Sequence, residues 1–283
     1  MGNTIFKEVS GTSLAAPYIT HLAGRLLNEY PLASANLLRA MLVNQASLPD
    51  EVASTFSEDF TNAYKADKST LHREVARDVA GYGEVNEGDL FRSSDNAVVL
   101  VSEQTIEKDS CQFVELPLPL DFLRKSLATR ELTVTLAYSP AVRTTRIEYL
   151  ATQISYRLVK GASLEEVQKH FNQAEKADVD SRNDDATGNR EITAQQRSRG
   201  TVQSSRWTFR RRNPDEKWFV VVIRQDREWN HPDVLEKEPY ALVVTVADRD
   251  NEDAQLYAQI QAVIAQQAEI RERQQAERLQ ARR

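Results

Sequence analysis

Ser10-Gly11-Thr12-Ser13-Leu14-Ala15-Ala16-Pro17 is the stretch from which the rest of the chain is read. Thr12 and Ser13 open a predicted helix whose apolar positions, Ala16, Ile19, Ala23, Leu26 and Leu27, recur at helical spacing. Pro17 falls inside the first turn or so, where its missing N–H costs least. A hydroxyl at a helix start lies beside free N–H groups that can donate toward an oxyanion, and the helix dipole favours negative charge there. Thr12 and the small Ala15 and Ala16 leave the approach to Ser13 open. Ser and Thr are also ordinary N-cap residues, and Ser-Gly-Thr-Ser taken alone reads as a cap. A serine becomes a nucleophile only when a base takes its proton and a third group orients that base. His21 is the nearest histidine in sequence, but eight residues along one helix is about 12 Å of rise. Proton transfer needs about 3 Å, so His21 reads as a packing residue.

Working outward, Tyr30-Pro31 breaks the first helix, and a second follows across Ser34–Ala46 with Leu37, Leu38, Met41 and Leu42 on one face. Pro49 stops it. Glu51–Arg77 is polar and reads as an insertion. From about Ala97 the pattern changes to short β-branched and aromatic runs: Val98–Val101, Cys111–Leu116, Leu132–Tyr138, Tyr149–Val159, Gly200–Arg212, Trp218–Ile223 and Tyr240–Val246. Seven such strands divided by Pro, Asp, Asn and Gly signals predict an antiparallel β-sandwich. A polar stretch, 163–199, interrupts it; Leu164–Phe171 has helical spacing, and Asp178–Arg199 reads as a loop. A C-terminal helix from about Asn251 carries a narrow seam of Leu256, Ile260, Val263, Gln267 and Ile270. Beyond Ile270 the seam gives way to arginines and glutamates, a solvated helix end.

At 283 residues the chain has room for roughly two domains of about 100–200 residues each. Its 41% hydrophobic content is enough for real cores, and a net charge of −6 gives no support to nucleic-acid binding. One cysteine, Cys111, excludes an internal disulfide framework and fits a reducing, cytoplasmic compartment; within its strand it reads as a buried residue. No apolar run approaches the ~18 residues that a membrane span needs. The first residues carry neither a signal-peptide pattern nor a myristoylation pattern. Four histidines in no paired spacing and one cysteine do not build a zinc site. Trp207, Trp218 and Trp229 read as core or sandwich-edge residues. Arg206 and Arg210–Arg212, with Asp215 and Glu216 nearby, read as a solvated strand face.

The run Gly11-Thr12-Ser13-x-Ala15-Ala16-Pro17 resembles the nucleophile motif of the subtilisin-like serine proteases, with Ser13 in the nucleophile's place. Gly81-Tyr82-Gly83-Glu84-Val85-Asn86 resembles the glycine turn that closes the catalytic domain in that family. The resemblance implies an α+β chain in three parts. Residues 1–93 are the mainly helical C-terminal portion of an α/β protease domain, 94–250 a sandwich, and 251–283 a helix. It further implies peptide-bond hydrolysis through an acyl-enzyme on Ser13, without a cofactor or metal. In this family the triad runs Asp, His, Ser along the chain, and only twelve residues precede Ser13. The Asp and His segments, and the usual oxyanion-hole Asn, are therefore expected upstream, and the chain alone is expected to be inactive. Two alternatives stand beside this: a non-catalytic protein-binding module, or half of a split protease completed in trans by an N-terminal fragment. An AAA-type ATPase is a further partner that the resemblance implies.

Overall fold

The computed structural model describes residues 11–49, 52, 77–91, 93–124, 129–145, 149–174, 192, 197, 199–209, 216–226, 234–251 and 255–281, with side chains to 169 in the fifth helix and to 269 in the last. Two helices come first, α1 (Thr12–Glu29) and α2 (Ala35–Asn44), followed by the short strands β1 (Ala46–Ser47) and β2 (Glu84–Val85) and the helical turn α3 (Glu87–Leu90). The remainder is β3 (Ala97–Glu107), β4 (Cys111–Glu115), α4 (Leu120–Arg124), β5 (Arg130–Tyr138), β6 (Thr152–Gly161), α5 (Leu164–Ala174), β7 (Val202–Phe209), β8 (Lys217–Asp226), β9 (Lys237–Ala247) and α6 (Leu256–Ala281). Each of the seven expected β runs forms a strand. The class is α+β, with antiparallel sheets.

The strands form a four-stranded sheet, β3-β9-β5-β7, and a three-stranded sheet, β4-β8-β6. Successive side chains in a strand point to opposite faces, and that alternation builds the layers. Leu132, Val134 and Leu136 of β5 and Leu242, Val244 and Val246 of β9 meet Ile154, Tyr156 and Leu158 of β6 and Trp218, Val220 and Val222 of β8 in one core. The Tyr156 hydroxyl donates across it to the Val134 carbonyl, 2.7 Å away. The opposite faces are covered as well. Phe219, Val221 and Ile223 of β8 pack with Val159 and with Val167 of α5. Ala137, Ala241 and Val243 pack under Leu37, Ala40 and Met41 of α2. Burial on both faces explains why Tyr240–Val246 reads as a nearly unbroken apolar run rather than an alternating one.

α2 starts where expected: Ser34 is its N-cap, accepting from the Leu37 N–H at 3.1 Å. It ends at Asn44, before the expected Ala46, because its last residues turn into the sheet. Asn44 Nδ2 donates to Thr135 Oγ1 (3.0 Å) and to the Val243 carbonyl (3.2 Å), while its Oδ1 accepts from the Thr245 hydroxyl. Gln45 Nε2 donates to Thr245 Oγ1 at 3.0 Å. Midway along the helix, Arg39 donates to the Tyr138 carbonyl (3.0 Å) and Ser139 Oγ (2.7 Å). The chain then pairs β1 with β2, Ala46 opposite Val85 and Ser47 opposite Glu84. This closure requires the glycine turn. Gly81 and Gly83 have φ of 61° and 93°, and a Cβ on Gly83 would overlap the Ser47 carbonyl.

Three sequence expectations are corrected. Cys111 begins β4 but is exposed, because its position falls on the outward side at the start of an edge strand. Ile192 and Arg197, within the stretch expected to be a loop, are buried: Ile192 exchanges backbone bonds with the Ser205 hydroxyl of β7. Pro17 is the sixth residue of α1 rather than a first-turn residue. The Glu51–Arg77 insertion (save 52 and 77), Trp229 and Arg210–Arg212 lie outside the described residues.

Buried Arg224 pairs bidentately with buried Asp226 (2.8 and 2.7 Å) and donates to the carbonyls of Ile106, Leu235 and Glu236. Burial holds the nearby Glu238 carboxyl above its ordinary 4.5; the charge of Arg224 opposes that shift and Asp226 adds to it. A carboxyl with a raised folded pKa stabilises most below its ordinary value, and that contribution is lost as pH rises through the folded pKa. Glu238→Gln should therefore raise the melting temperature at pH 7 and leave it unchanged at pH 4, compared by calorimetry at both. Gly83→Ala should cost about 2 kcal/mol through its forbidden φ and the Ser47 overlap, read as a lowered denaturation midpoint.

Candidate active site

Ser13 is the second residue of α1. Gly11 is its N-cap, with extended backbone and no side-chain cap bond, and its carbonyl accepts from the Leu14 (3.0 Å) and Ala15 (3.3 Å) N–H groups. Ser13 thus does not serve as a cap. Its hydroxyl is exposed, and its own N–H is among the helix-start donors without an intrahelical partner. Pro17 lacks the N–H that would bond the Ser13 carbonyl four residues back. Gly11, Thr12, Ala15, Ala16 and Pro17 are exposed around it, so the approach to the hydroxyl is open. A peptide carbonyl can reach this oxygen, and the Ser13 N–H lies where a developing oxyanion could use it.

The lower half of α1 fixes this end in place. Leu22 and Leu26 are fully buried, in a cluster with Leu37, Met41 and Leu90. Glu87, in the first turn of α3, accepts from the Tyr18 hydroxyl at 2.6 Å and from Arg25 at 2.8 Å. The Arg25 guanidinium also lies 4.1 Å from the centre of the Phe91 ring. Tyr18, then Arg25, hold the Glu87 carboxyl below its ordinary range, and the same bond raises the Tyr18 phenol. Asn86 caps α3 through Gly88 (2.9 Å) and donates its N–H to the Gln45 carbonyl at 2.9 Å, which ties the pin to the end of α2. No motif in the sequence points to Glu87 in this role.

The buried face of α1 differs from the expected one. Ile19 and Leu27 are 38% and 41% exposed, and Leu14 is 54% exposed. Every residue from Gly11 to His21 is exposed. The apolar side of the helix is broad, yet only the Leu22–Leu26 part of it is covered among the described residues.

The structure brings no base to Ser13 among the described residues. His21 lies exposed on the same helix, about 12 Å of rise away. His72 and His231 lie outside the described residues, as does the side chain of His170. No group of three or more metal-ligating side chains is present among the described residues. No helix there is long and apolar enough to cross a membrane.

Ser13 thus stands at the head of a helix that follows a glycine N-cap. Residues 1–83 match the family model Peptidase_S8, the subtilase family, so the part of the chain that carries Ser13 is subtilase-family sequence. The match runs to Gly83, the second glycine of the β1–β2 closure. Over 256 residues, 87% of the chain, the sequence is 30% identical to the uncharacterized protein y4bN of Sinorhizobium fredii. The chain spans about half, 54%, of that relative's length.

Because Ser13 is exposed and makes no cap bond, Ser13→Ala should change stability by less than about 0.5 kcal/mol. Equilibrium denaturation checks this and establishes the variant as a folded control.

Proposed function

We propose that this chain is the nucleophile-bearing C-terminal part of a subtilisin-like serine endopeptidase. In this reading Ser13 Oγ attacks the carbonyl carbon of a peptide bond and passes its proton to a histidine. The tetrahedral oxyanion is held in part by the Ser13 N–H. Collapse releases the amine, which takes that proton, and water then hydrolyses the acyl-enzyme. The observation that carries the reading is the position of Ser13, within the family match, at the open head of α1.

The histidine and aspartate come from polypeptide beyond this chain, either joined to it or docked in trans. The exposed Leu14, Tyr18 and Ile19 in the first half of α1 support this, since apolar side chains gain from enclosure. The same polypeptide would supply the substrate-binding strands, so the substrate class is protein or peptide. The expected partner is accordingly an N-terminal protease segment; an AAA-type ATPase is a second partner, proposed from the family resemblance alone. One cysteine among 283 residues supports a reducing, cytoplasmic location.

Labelling with a fluorophosphonate serine-hydrolase probe tests the proposal, with Ser13→Ala as control. The chain alone should stay unlabelled, and Ser13-dependent labelling should appear once a subtilase segment carrying Asp and His is supplied. Ser13-dependent labelling of the chain alone would place the base within it. A folded, joined form that stays unlabelled would favour a non-catalytic binding module.

A further inference from the structure

A half-open cavity of about 350 Å³ lies between the β4–α4 connection, the start of β8 and α6. Its walls are leucines, an indole and a valine: Leu116 and Leu118 from the connection, Leu120 and Leu123 from α4, Trp218 from β8 and Val263 from α6. The Leu116 N–H donates to the Trp218 carbonyl and the Leu118 N–H to the Leu116 carbonyl, each at 2.8 Å, which fixes these leucines relative to β8. Leu116, Leu123 and Trp218 are buried, and the Trp218 ring packs on Phe209, 5.3 Å away between centres. α6 is tied down on both sides of Val263. Before it, Leu256 and Ile260 enter the core; after it, Gln267 Nε2 donates to the Glu115 carboxylate at 3.2 Å.

Among the described residues, three charged side chains border the cavity, and each has an opposite charge beside it. Lys217 pairs with Glu115 at 2.9 Å, and Glu216 pairs with Lys160 at 2.8 Å. A charged ligand would give up its hydration here to meet charges that are already matched. An uncharged one gains by taking the leucine surface out of water. Cavities that bind small molecules start at about 300 Å³ and are lined mainly by apolar and aromatic side chains with a few polar groups. This one has that size and that lining. The amides of Gln266 and Gln267, on its α6 side, can bond one polar end group.

We propose that this cavity binds an uncharged, mainly hydrocarbon small molecule with one polar end group. Its hydrocarbon body lies against the leucines and Trp218, and its polar end meets the Gln266 and Gln267 amides. The site stands on different residues from those around Ser13 and does not depend on the protease reading.

Titration of the full chain with N-phenyl-1-naphthylamine, an uncharged probe whose fluorescence rises in apolar surroundings, tests it. Saturable binding is expected, and 1-octanol should displace the probe. Octanoate at neutral pH should need about tenfold more, because its carboxylate would meet Glu115 and Glu216. Val263→Phe, which fills the cavity, and Leu120→Asp, which puts a charge on its wall, should each weaken probe binding about tenfold. Leu120 is 53% exposed, so its variant reports on the site without disturbing the fold. Ile19→Ser, on the exposed part of α1, should bind the probe as the parent does. Absence of saturable binding, parent affinity in either cavity variant, or loss of binding in Ile19→Ser would overturn the proposal. So would displacement by octanoate at the concentrations at which 1-octanol acts, which would make this a site for fatty anions.

Discussion

The seat of Asn44 in the outer face of the four-stranded sheet is the constraint on which the rest depends. A buried amide left without partners costs about 1–3 kcal/mol, and this one has partners only when α2 lies in one register over β5 and β9. From that register a closed circuit follows. The residue after Asn44 holds Asn86 through its carbonyl, β1 pairs with β2, and α3 begins beside them. Glu87 of α3 then reaches back to Tyr18 and Arg25 of α1. The helix that carries Ser13 is thus gripped from two directions, by the apolar Leu22–Leu26 contact and by one carboxylate. Both grips trace to the same sheet. The segment matched to the subtilase family and the antiparallel sheets share one packed cluster in which Ala137, Ala241 and Val243 meet Leu22, Leu26 and Leu37.

This arrangement gives a rigid base and an open top. The lower part of α1 is fixed on α2 and α3, while its first ten residues project with apolar side chains on several sides. A surface of that kind is stable in water only at some cost, because the apolar area is not removed from solvent. In the protease reading the cost is offset when a second layer closes over the helix and brings the base to Ser13. In that reading the sheets act as a mount that determines where Ser13 is held.

The strands were readable because β-branched residues in short runs have few other uses, and α2 was readable because Ser34 and the spacing of Leu37 and Met41 agree. The family match over residues 1–83 is legible in the run around Ser13, since that motif is local in sequence. What could not be read was set by long-range packing. The pairing of Glu87 with Tyr18 spans 69 residues, and neither residue type announces it. The apolar positions of α1 give its helical period but not its buried side, because the apolar arc is broader than the contact that Leu22 and Leu26 make. Cys111 is misplaced for a related reason: residue type suggests burial, and the register of β4 decides otherwise. Ile192 and Arg197 were hidden within a polar stretch whose composition spoke only for loop.

The most direct measurement is hydrogen exchange across α1 and α2 in the chain alone and with a subtilase segment carrying the Asp and His motifs. In the chain alone, the amides near Leu26 and through α2 should be protected while those of Leu14–Thr20 exchange rapidly. Protection should extend to Leu14–Thr20 when the segment is present. Strong protection of those amides in the chain alone, or none gained on adding the segment, would contradict the account of an open nucleophile helix awaiting its enclosing layer.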